Sequence, residues 1–289
     1  MLSIALLGSP EIKLDQQPLT ISRRKSRALL YYLAAHPHPL TREQLLTFFW
    51  PNLDRRTAQQ NFRVTLSGLK KYLDDYLIVT QESLALATEV QVDVRLFDAR
   101  LATNNEDISF LKDTIALYRD DFLRGFSLPN LPDFEDWALL ERQHFRHNAI
   151  KGFVRLSQQY KARNKFRTAL EALNRAIQLD PLMEELQQLA LQLHYLSGDR
   201  AGAIRRYEQL YQMLSEELGV PPMDETRTLY DAIITDTVTP ALLSNGPMAA
   251  VSPPEATTQT TPAPLFGREE SLQQLYQLVK THKFILIEG

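Results

Sequence analysis

Residues 56–73, RTAQQNFRVTLSGLKKYL, decide the fold of the N-terminal part of this chain. Apolar residues recur along the stretch at steps of four, four, three and four. This spacing is typical of one side of an α-helix. The stripe consists of Ala58, Phe62, Leu66, Leu69 and Leu73. It predicts a helix over residues 56–73 that packs this side against a core.

The other side of this predicted helix carries hydrogen-bond donors and no acidic residue before Asp74. Donors without carboxylates suit a surface that meets phosphates and base edges. The alternative is the solvated face of an ordinary amphipathic helix. The donors are Gln59, Gln60, Arg63, Ser67, Lys70 and Lys71.

Composition indicates a globular protein with room for two domains. The chain has 289 residues, of which 44% are hydrophobic and 23% charged. The absence of cysteine excludes disulfides, thiolate nucleophiles and Cys-ligated metals. The N-terminus lacks the pattern of a signal peptide, and no stretch approaches 18 apolar residues. We therefore expect a cytoplasmic protein that does not contact a membrane.

The net charge of −3 is unevenly distributed. Residues 1–92 hold 11 Lys and Arg against 8 Asp and Glu, whereas residues 93–237 hold 18 against 23. Only the first section favours a polyanionic partner, and its excess of positive charge is small.

Local patterns in residues 1–92 predict three strands, three helices and a hairpin. Thr41 and Gln44 form the sequence signature of a capping box at the second helix, which extends to Trp50. The second and third helices would form a helix-turn-helix, and the hairpin its wing. The predicted elements are strands 2–7, 11–14 and 18–21, helices 28–35, 41–50 and 56–73, and hairpin strands 77–80 and 84–86.

These residues resemble a known family. The patterns LLGSPEIKLDQQPLTISRRKSRALLYYLAAHP, LTREQLLTFFWP and AQQNFRVTLSGLKKYL are similar to the OmpR-type winged helix of SARP-type bacterial transcriptional activators. In that family the third helix enters the major groove of DNA and the wing approaches the minor groove. The resemblance implies double-stranded promoter DNA and RNA polymerase as partners.

Two positions depart from the family pattern. The wing tip, Gln81-Glu82-Ser83, has no Arg or Lys to enter a minor groove. Gly68 lies inside the third helix, where many relatives carry Arg, and is expected to remove a phosphate contact. We therefore expect modest DNA affinity from a single copy.

A helical repeat is predicted within residues 93–237. Ala169 and Ala203 are 34 residues apart, and Asn164 and Gly198 mark the turn before each of them. A helix-turn-helix period of 34 residues is that of tetratricopeptide repeats (TPR). The stretch ELGVPPMDETRTLYDAI and the segment around Trp137 resemble the bacterial transcriptional activator domain (BTAD), which follows the winged helix in SARP proteins.

The predicted fold is therefore mainly α with a small β component, a winged helix-turn-helix followed by an α-helical, TPR-like repeat domain. The repeat domain would serve protein partners and self-association on DNA, and a purely structural support is the alternative. The predicted domains are a winged helix at 1–92, the repeat domain at 93–237, a disordered linker at 238–264 and a partial domain at 265–289.

Residues 265–289 resemble the first strand of a STAND-type P-loop ATPase. The chain has no Gly-Lys-Ser/Thr sequence after this strand, so the loop that would hold a phosphate is missing. We expect no cofactor here, with ATP binding only in a longer protein.

No catalytic or metal site is predicted, and the chain is not expected to be an enzyme. His144 and His147 share a helix face without an evident third ligand. The acidic pair Glu184-Glu185 is interpreted as helix-end or surface charge. Trp50 and Trp137 are interpreted as core anchors.

The site residues divide into two groups. The base-reading residues are expected among Gln59, Gln60, Arg63 and Ser67, because the N-terminal half of a recognition helix enters the groove. Phosphate contacts are expected from Arg56, Lys70 and Lys71, with Arg23, Arg24 and Lys25 as further candidates. Ordinary surface charge is the alternative for the last three.

Two functional hypotheses follow. The first is a DNA-binding transcriptional activator that reads promoter repeats with helix 56–73; SARP-type relatives imply head-to-tail repeats. The second is a helical-repeat scaffold of a signalling ATPase whose winged helix contacts protein. Arg63 and its neighbours separate them: they are exposed in a DNA reader and paired with acids of the repeat domain in a scaffold.

Overall fold

The computed structural model describes residues 1–244 and begins with an antiparallel meander of three strands, the first shorter than predicted and the third sharing only residue 18 with the predicted strand 18–21. The meander consists of β1 (Leu2–Ala5), β2 (Glu11–Leu14) and β3 (Gln17–Pro18), with Ile4 opposite Ile12. A fourth strand that the sequence did not predict, β7 (Gln91–Val92), pairs parallel to β1. The sheet order β3-β2-β1-β7 therefore joins the two ends of residues 1–92.

Three helices follow the meander, and N-terminal capping residues explain where the second and the third begin. They are α1 (Arg24–Ala35), α2 (Arg42–Phe49) and α3 (Arg55–Leu73). The predicted capping box of Thr41 and Gln44 is confirmed at the start of α2. Asp54 accepts hydrogen bonds from the backbone N–H groups of Arg56 and Thr57, so α3 begins one residue earlier than predicted. All five predicted apolar residues of α3 are buried.

The wing is a three-stranded sheet instead of a hairpin. Strands β5 (Leu77–Val79) and β6 (Ser83–Leu86) form the predicted hairpin, and β4 (Leu40–Thr41) pairs with β6 on its other edge. Arg42 donates two hydrogen bonds to the carbonyl of Thr80, at 3.1 and 2.8 Å. These contacts hold the wing against the start of α2.

The rest of the described chain is helical, which confirms the predicted fold class. The helices are α4 (Asp93–Leu101), α5 (Ile108–Ile115), α6 (Pro132–Ala162), α7 (Phe166–Leu179), α8 (Glu184–Leu196), α9 (Arg200–Glu217), α10 (Asp224–Thr235) and α11 (Pro240–Ser244). The described part contains no helix long and apolar enough to cross a membrane.

The two predicted repeat turns have the same backbone geometry. Asn164 and Gly198 both adopt positive φ, at 57° and 79°. After each turn, the N–H of the next residue returns to a carbonyl five residues earlier, from Lys165 to Tyr160 and from Asp199 to His194, both at 2.9 Å. The 34-residue period in the sequence therefore corresponds to a repeated helix–turn–helix structure.

The winged helix and the helical region are joined by partly buried contacts. Arg95 of α4 donates to the carbonyls of Leu33 and Ala34 at 2.7 and 2.8 Å, and so binds the free C-terminal carbonyls of α1. Tyr32 of α1 packs edge-on against Trp137 of α6, with ring centroids 4.8 Å apart. The described residues consequently belong to one compact unit. The predicted boundary between two domains at residue 92 stays a prediction.

The start of the predicted linker packs against the repeats. Val238 and Leu242 lie against an apolar cluster that includes Leu191 and Ile233. Gln192 also donates to the Leu242 carbonyl at 2.8 Å. The composition of the segment did not predict these contacts, because only two apolar side chains attach it and the segment as a whole is poor in large apolar residues. Residues 245–289, with the rest of the predicted linker and the predicted ATPase strand, lie outside the described residues.

Candidate nucleic-acid interface

The outward face of α3 presents most of the predicted contact residues to solvent. Gln59 is half-buried, and the other members of the face are exposed. This arrangement follows from the buried stripe, because residues on the opposite side of an amphipathic helix cannot reach the core. The exposed members are Arg56, Gln60, Arg63, Ser67, Lys70 and Lys71.

The cations of this face remain available for a ligand. Lys70 pairs with Asp74 one turn later, at 3.1 Å, where both side chains are well exposed. Within residues 1–244, no acidic side chain forms an ion pair with Arg56, Arg63 or Lys71. Such exposed pairs contribute little to stability, so Lys70 can exchange Asp74 for a phosphate at small cost.

A groove on one flank of α3 gathers cations from two parts of the chain. It lies between α3 and residues 21–26, which lead into α1, and it has a volume of about 870 Å³. Arg23 lines one wall and Arg63, Lys70 and Lys71 line the other, with no Asp or Glu among the lining residues. An anionic strand of phosphates is the kind of ligand that such a groove attracts.

The groove on the other flank has a mixed lining. It lies between α2, α3 and the wing tip, and Gln59 and Arg63 face it together with Glu43 and Glu82. Carboxylates at this edge repel phosphates but can accept a hydrogen bond from a cytosine amino group. Glu82 at the wing tip is exposed, so the wing offers no cation there.

The three candidates for phosphate contact at residues 23–25 have different surroundings in the structure. Arg23 is exposed in the cationic groove, as a phosphate contact requires. Arg24 donates to the Ser127 hydroxyl at 3.1 Å and lies over the Phe126 ring. Lys25 donates to the Phe49 carbonyl at 2.8 Å and lies over the Trp50 ring, and burial lowers its pKa. Arg24 and Lys25 thus have partners within the fold, whereas Arg23 lies in the groove.

Gly68 lies at the crossing of α3 with α1. A Cβ atom at this position would lie 3.3 Å from the Oγ of Ser26, a side chain that is itself buried. The glycine therefore lets the two helices approach closely at the edge of the cationic groove, which Gly68 also lines. The expectation that Gly68 removes a phosphate contact stays a prediction.

Arg55 is a further candidate that was not predicted from the sequence. The sequence predicts the third helix only from residue 56, whereas Arg55 is the first residue of α3 and lines the groove beside the wing tip. The signal was present in the sequence, because Asp54 is a favourable N-cap residue and the position after an N-cap is the first helical one.

The candidate metal ligand His144 and the two tryptophans have contacts that explain them structurally. His144 lies 3.1 Å from a carboxylate oxygen of Asp98, and this hydrogen bond raises the pKa of His144. No three metal-binding side chains come together in the described ranges. Trp50 is buried against Phe62 of α3, and Trp137 is half-buried among aromatic rings of α1 and residue 122.

Residues 92–234 match a family model described as bacterial transcriptional activator domain. The match covers α4 to α10 except for the last residue of α10. The predicted repeat domain, residues 93–237, has nearly the same bounds.

Two curated relatives are similar over most of their length. Both are called transcriptional regulatory protein MoaR1, one from Mycobacterium tuberculosis and one from Mycobacterium bovis. Each is 21% identical over 243 residues, which cover 79% of this chain and 78% of the relative.

A solved structure shares the fold. It is that of Mycobacterium tuberculosis EmbR in complex with a low-affinity phosphopeptide, with a TM-score of 0.67 and 19% sequence identity. The alignment covers 83% of this chain and 67% of that one. At this identity the likeness shows the fold alone.

Proposed function

We propose, from the match of residues 92–234 to the bacterial transcriptional activator domain, that this chain is a sequence-specific DNA-binding transcriptional regulator that acts as an activator. The observation that carries the proposal is the outward face of α3, where Arg56, Arg63 and Lys71 are exposed without acidic partners in the described structure. Double-stranded promoter DNA is the ligand whose charge and groove dimensions suit this face.

The scaffold hypothesis required these cations to pair with acids of the repeat domain. Within residues 1–244 no acid of that region pairs with them, and Asp121 and Glu106 pair instead with Arg146 and Arg155 of the same region. This distribution supports the DNA-binding hypothesis. We assign contacts with RNA polymerase and with further copies of the chain to the repeat domain.

Within the interface, we assign base reading to Gln59, Gln60, Arg63 and Ser67. The guanidinium of Arg63 can donate two hydrogen bonds to a guanine, and a Gln amide can do the same for an adenine. Phosphate contact is assigned to Arg23, Arg55, Arg56, Lys70 and Lys71, whose charges flank the reading residues.

Replacing Arg63 tests the reading face directly. Arg63→Ala is expected to weaken binding to a selected duplex by about 1–3 kcal/mol, roughly 5- to 150-fold, and to relax the preference at one base pair. Arg205→Ala is a matched control, since Arg205 is an exposed arginine on α9. Repeating the selection of duplexes with each variant measures the effect. An unchanged base preference for Arg63→Ala would refute the assignment.

Replacing Lys71 tests a phosphate contact. Lys71→Ala is expected to weaken binding to all sequences by a similar factor and to reduce the slope of log affinity against log salt by about one. Lys112→Ala, on the exposed side of α5, is the control and should leave the slope unchanged. A loss that depends on the DNA sequence would instead place Lys71 among the base-reading residues.

A further inference from the structure

Val64 is exposed in the middle of the α3 face. Its side chain is 47% accessible, although Ala58, Phe62 and Leu66 of the same helix are almost fully buried. A β-branched residue is a poor choice for an exposed helical position, because its side chain loses rotamer freedom there. Neither core packing nor helix formation therefore explains a valine at position 64.

The surroundings of Val64 show where the side chain lies. It lines the cationic groove together with Arg63, Ser67 and Lys71, and those three residues belong to the proposed interface. Val64 is three residues from Ser67, so these two side chains are neighbours on the helix surface. Arg63 lines the same groove from the adjacent position. A ligand that reaches the side chains of Arg63 and Ser67 from this side consequently meets the methyl groups of Val64.

Only one base offers an apolar group at the edge exposed in the major groove. Thymine presents its C5 methyl there, whereas the other three bases present hydrogen-bonding atoms and carry no methyl group. We propose that Val64 recognises a thymine by contact with this methyl group. The proposal rests on the proposed function, and it adds an apolar reading residue to the polar ones of α3.

Deoxyuridine provides the test, because it differs from thymidine in DNA by this methyl group alone. The full-length chain is first used to select its preferred duplex, and each thymidine of that duplex is then replaced singly by deoxyuridine. Burial of one methyl-sized group contributes about 0.8 kcal/mol, so one replacement should weaken wild-type binding about fourfold. The Val64→Ala variant should show no loss at that same replacement.

Two variants complete the comparison. Val64→Thr keeps one methyl group and is expected to retain part of the dependence on the thymine methyl. Val220→Ala is the matched control, since Val220 is 46% exposed at the corner between α9 and α10. It should lose about fourfold at the same replacement as the wild type.

The outcomes separate this inference from the proposed function. If the selection yields no preferred duplex, the proposed function itself fails. If a duplex is preferred but each deoxyuridine has the same effect on the wild type and on Val64→Ala, only the role of Val64 is overturned. If Val64→Ala weakens every duplex equally, Val64 contacts the sugar–phosphate backbone and the thymine contact is likewise refuted.

Discussion

A duplex with two half-sites in direct orientation is expected to bind the chain about 100-fold more tightly, or better, than a duplex with one. A single winged helix covers a short site, and this one has Gln81 and Glu82 at a wing tip where a cation would add a minor-groove contact. One copy should therefore bind weakly. Coupling two copies makes the second binding event intramolecular, which raises affinity by about 10²–10⁴ without any new DNA contact.

The buried junction between the winged helix and the repeats explains how the repeat domain can set the arrangement of two copies. Arg95 and the Tyr32–Trp137 contact fix α1 against α4 and α6, so α3 keeps a constant orientation to the helical surface. A head-to-tail contact through that surface would place the next α3 in the same direction along the DNA.

The measurement is binding of the full chain to two half-sites in direct and in inverted orientation, with the spacing varied. Cooperative binding confined to the inverted arrangement would refute the tandem model and indicate a two-fold dimer. Equal affinity for one half-site and for two would refute cooperativity altogether. Lengthening the spacer by about half a helical turn should abolish cooperativity, because the two sites then face different sides of the DNA.

Glu184→Ala is expected to lower the free energy of unfolding by about 3 kcal/mol. Glu184 is 5% exposed, and one carboxylate oxygen accepts hydrogen bonds from the Met223 N–H at 2.9 Å and the Thr226 hydroxyl at 2.6 Å. The buried Thr226 hydroxyl and the Met223 N–H would be left without this acceptor. Glu184 is the first residue of α8, as the prediction of a helix-end charge requires, but the loop before α10 covers it, so its charge does not lie at the surface.

Chemical unfolding of three variants measures this effect. Glu184→Gln keeps one oxygen acceptor and should lose less than Glu184→Ala. Glu185→Ala is the control, since the Glu185 carboxylate forms no hydrogen bond or ion pair within residues 1–244. Similar losses for Glu184→Ala and Glu185→Ala would show that the buried hydrogen bonds contribute little.

The sequence predicted those elements whose conformation is determined by residues that are close together in the chain. The α3 stripe, the capping box at Thr41 and the positive-φ turns at Asn164 and Gly198 each depend on residues close in sequence. These patterns were enough to predict the winged helix, the repeat and the exposed face of α3.

Contacts between distant residues could not be predicted in this way. Strand β7 pairs with β1 across almost the whole of residues 1–92, and nothing local specifies that register. The run Arg23-Arg24-Lys25 looks uniform in sequence, yet only Arg23 remains in the cationic groove. Arg24 and Lys25 are redirected by Ser127 and by the Phe49 carbonyl, which only the folded chain brings near.

The central claim is that the outward face of α3 binds DNA, and the salt dependence of affinity for a selected and a random duplex tests it most directly. Contact with about five phosphates per copy predicts a slope of log affinity against log salt of about −4 to −5 for each bound copy. The selected duplex should also bind more tightly than the random one at every salt concentration. A slope near zero, or equal affinity for the two duplexes, would contradict the claim.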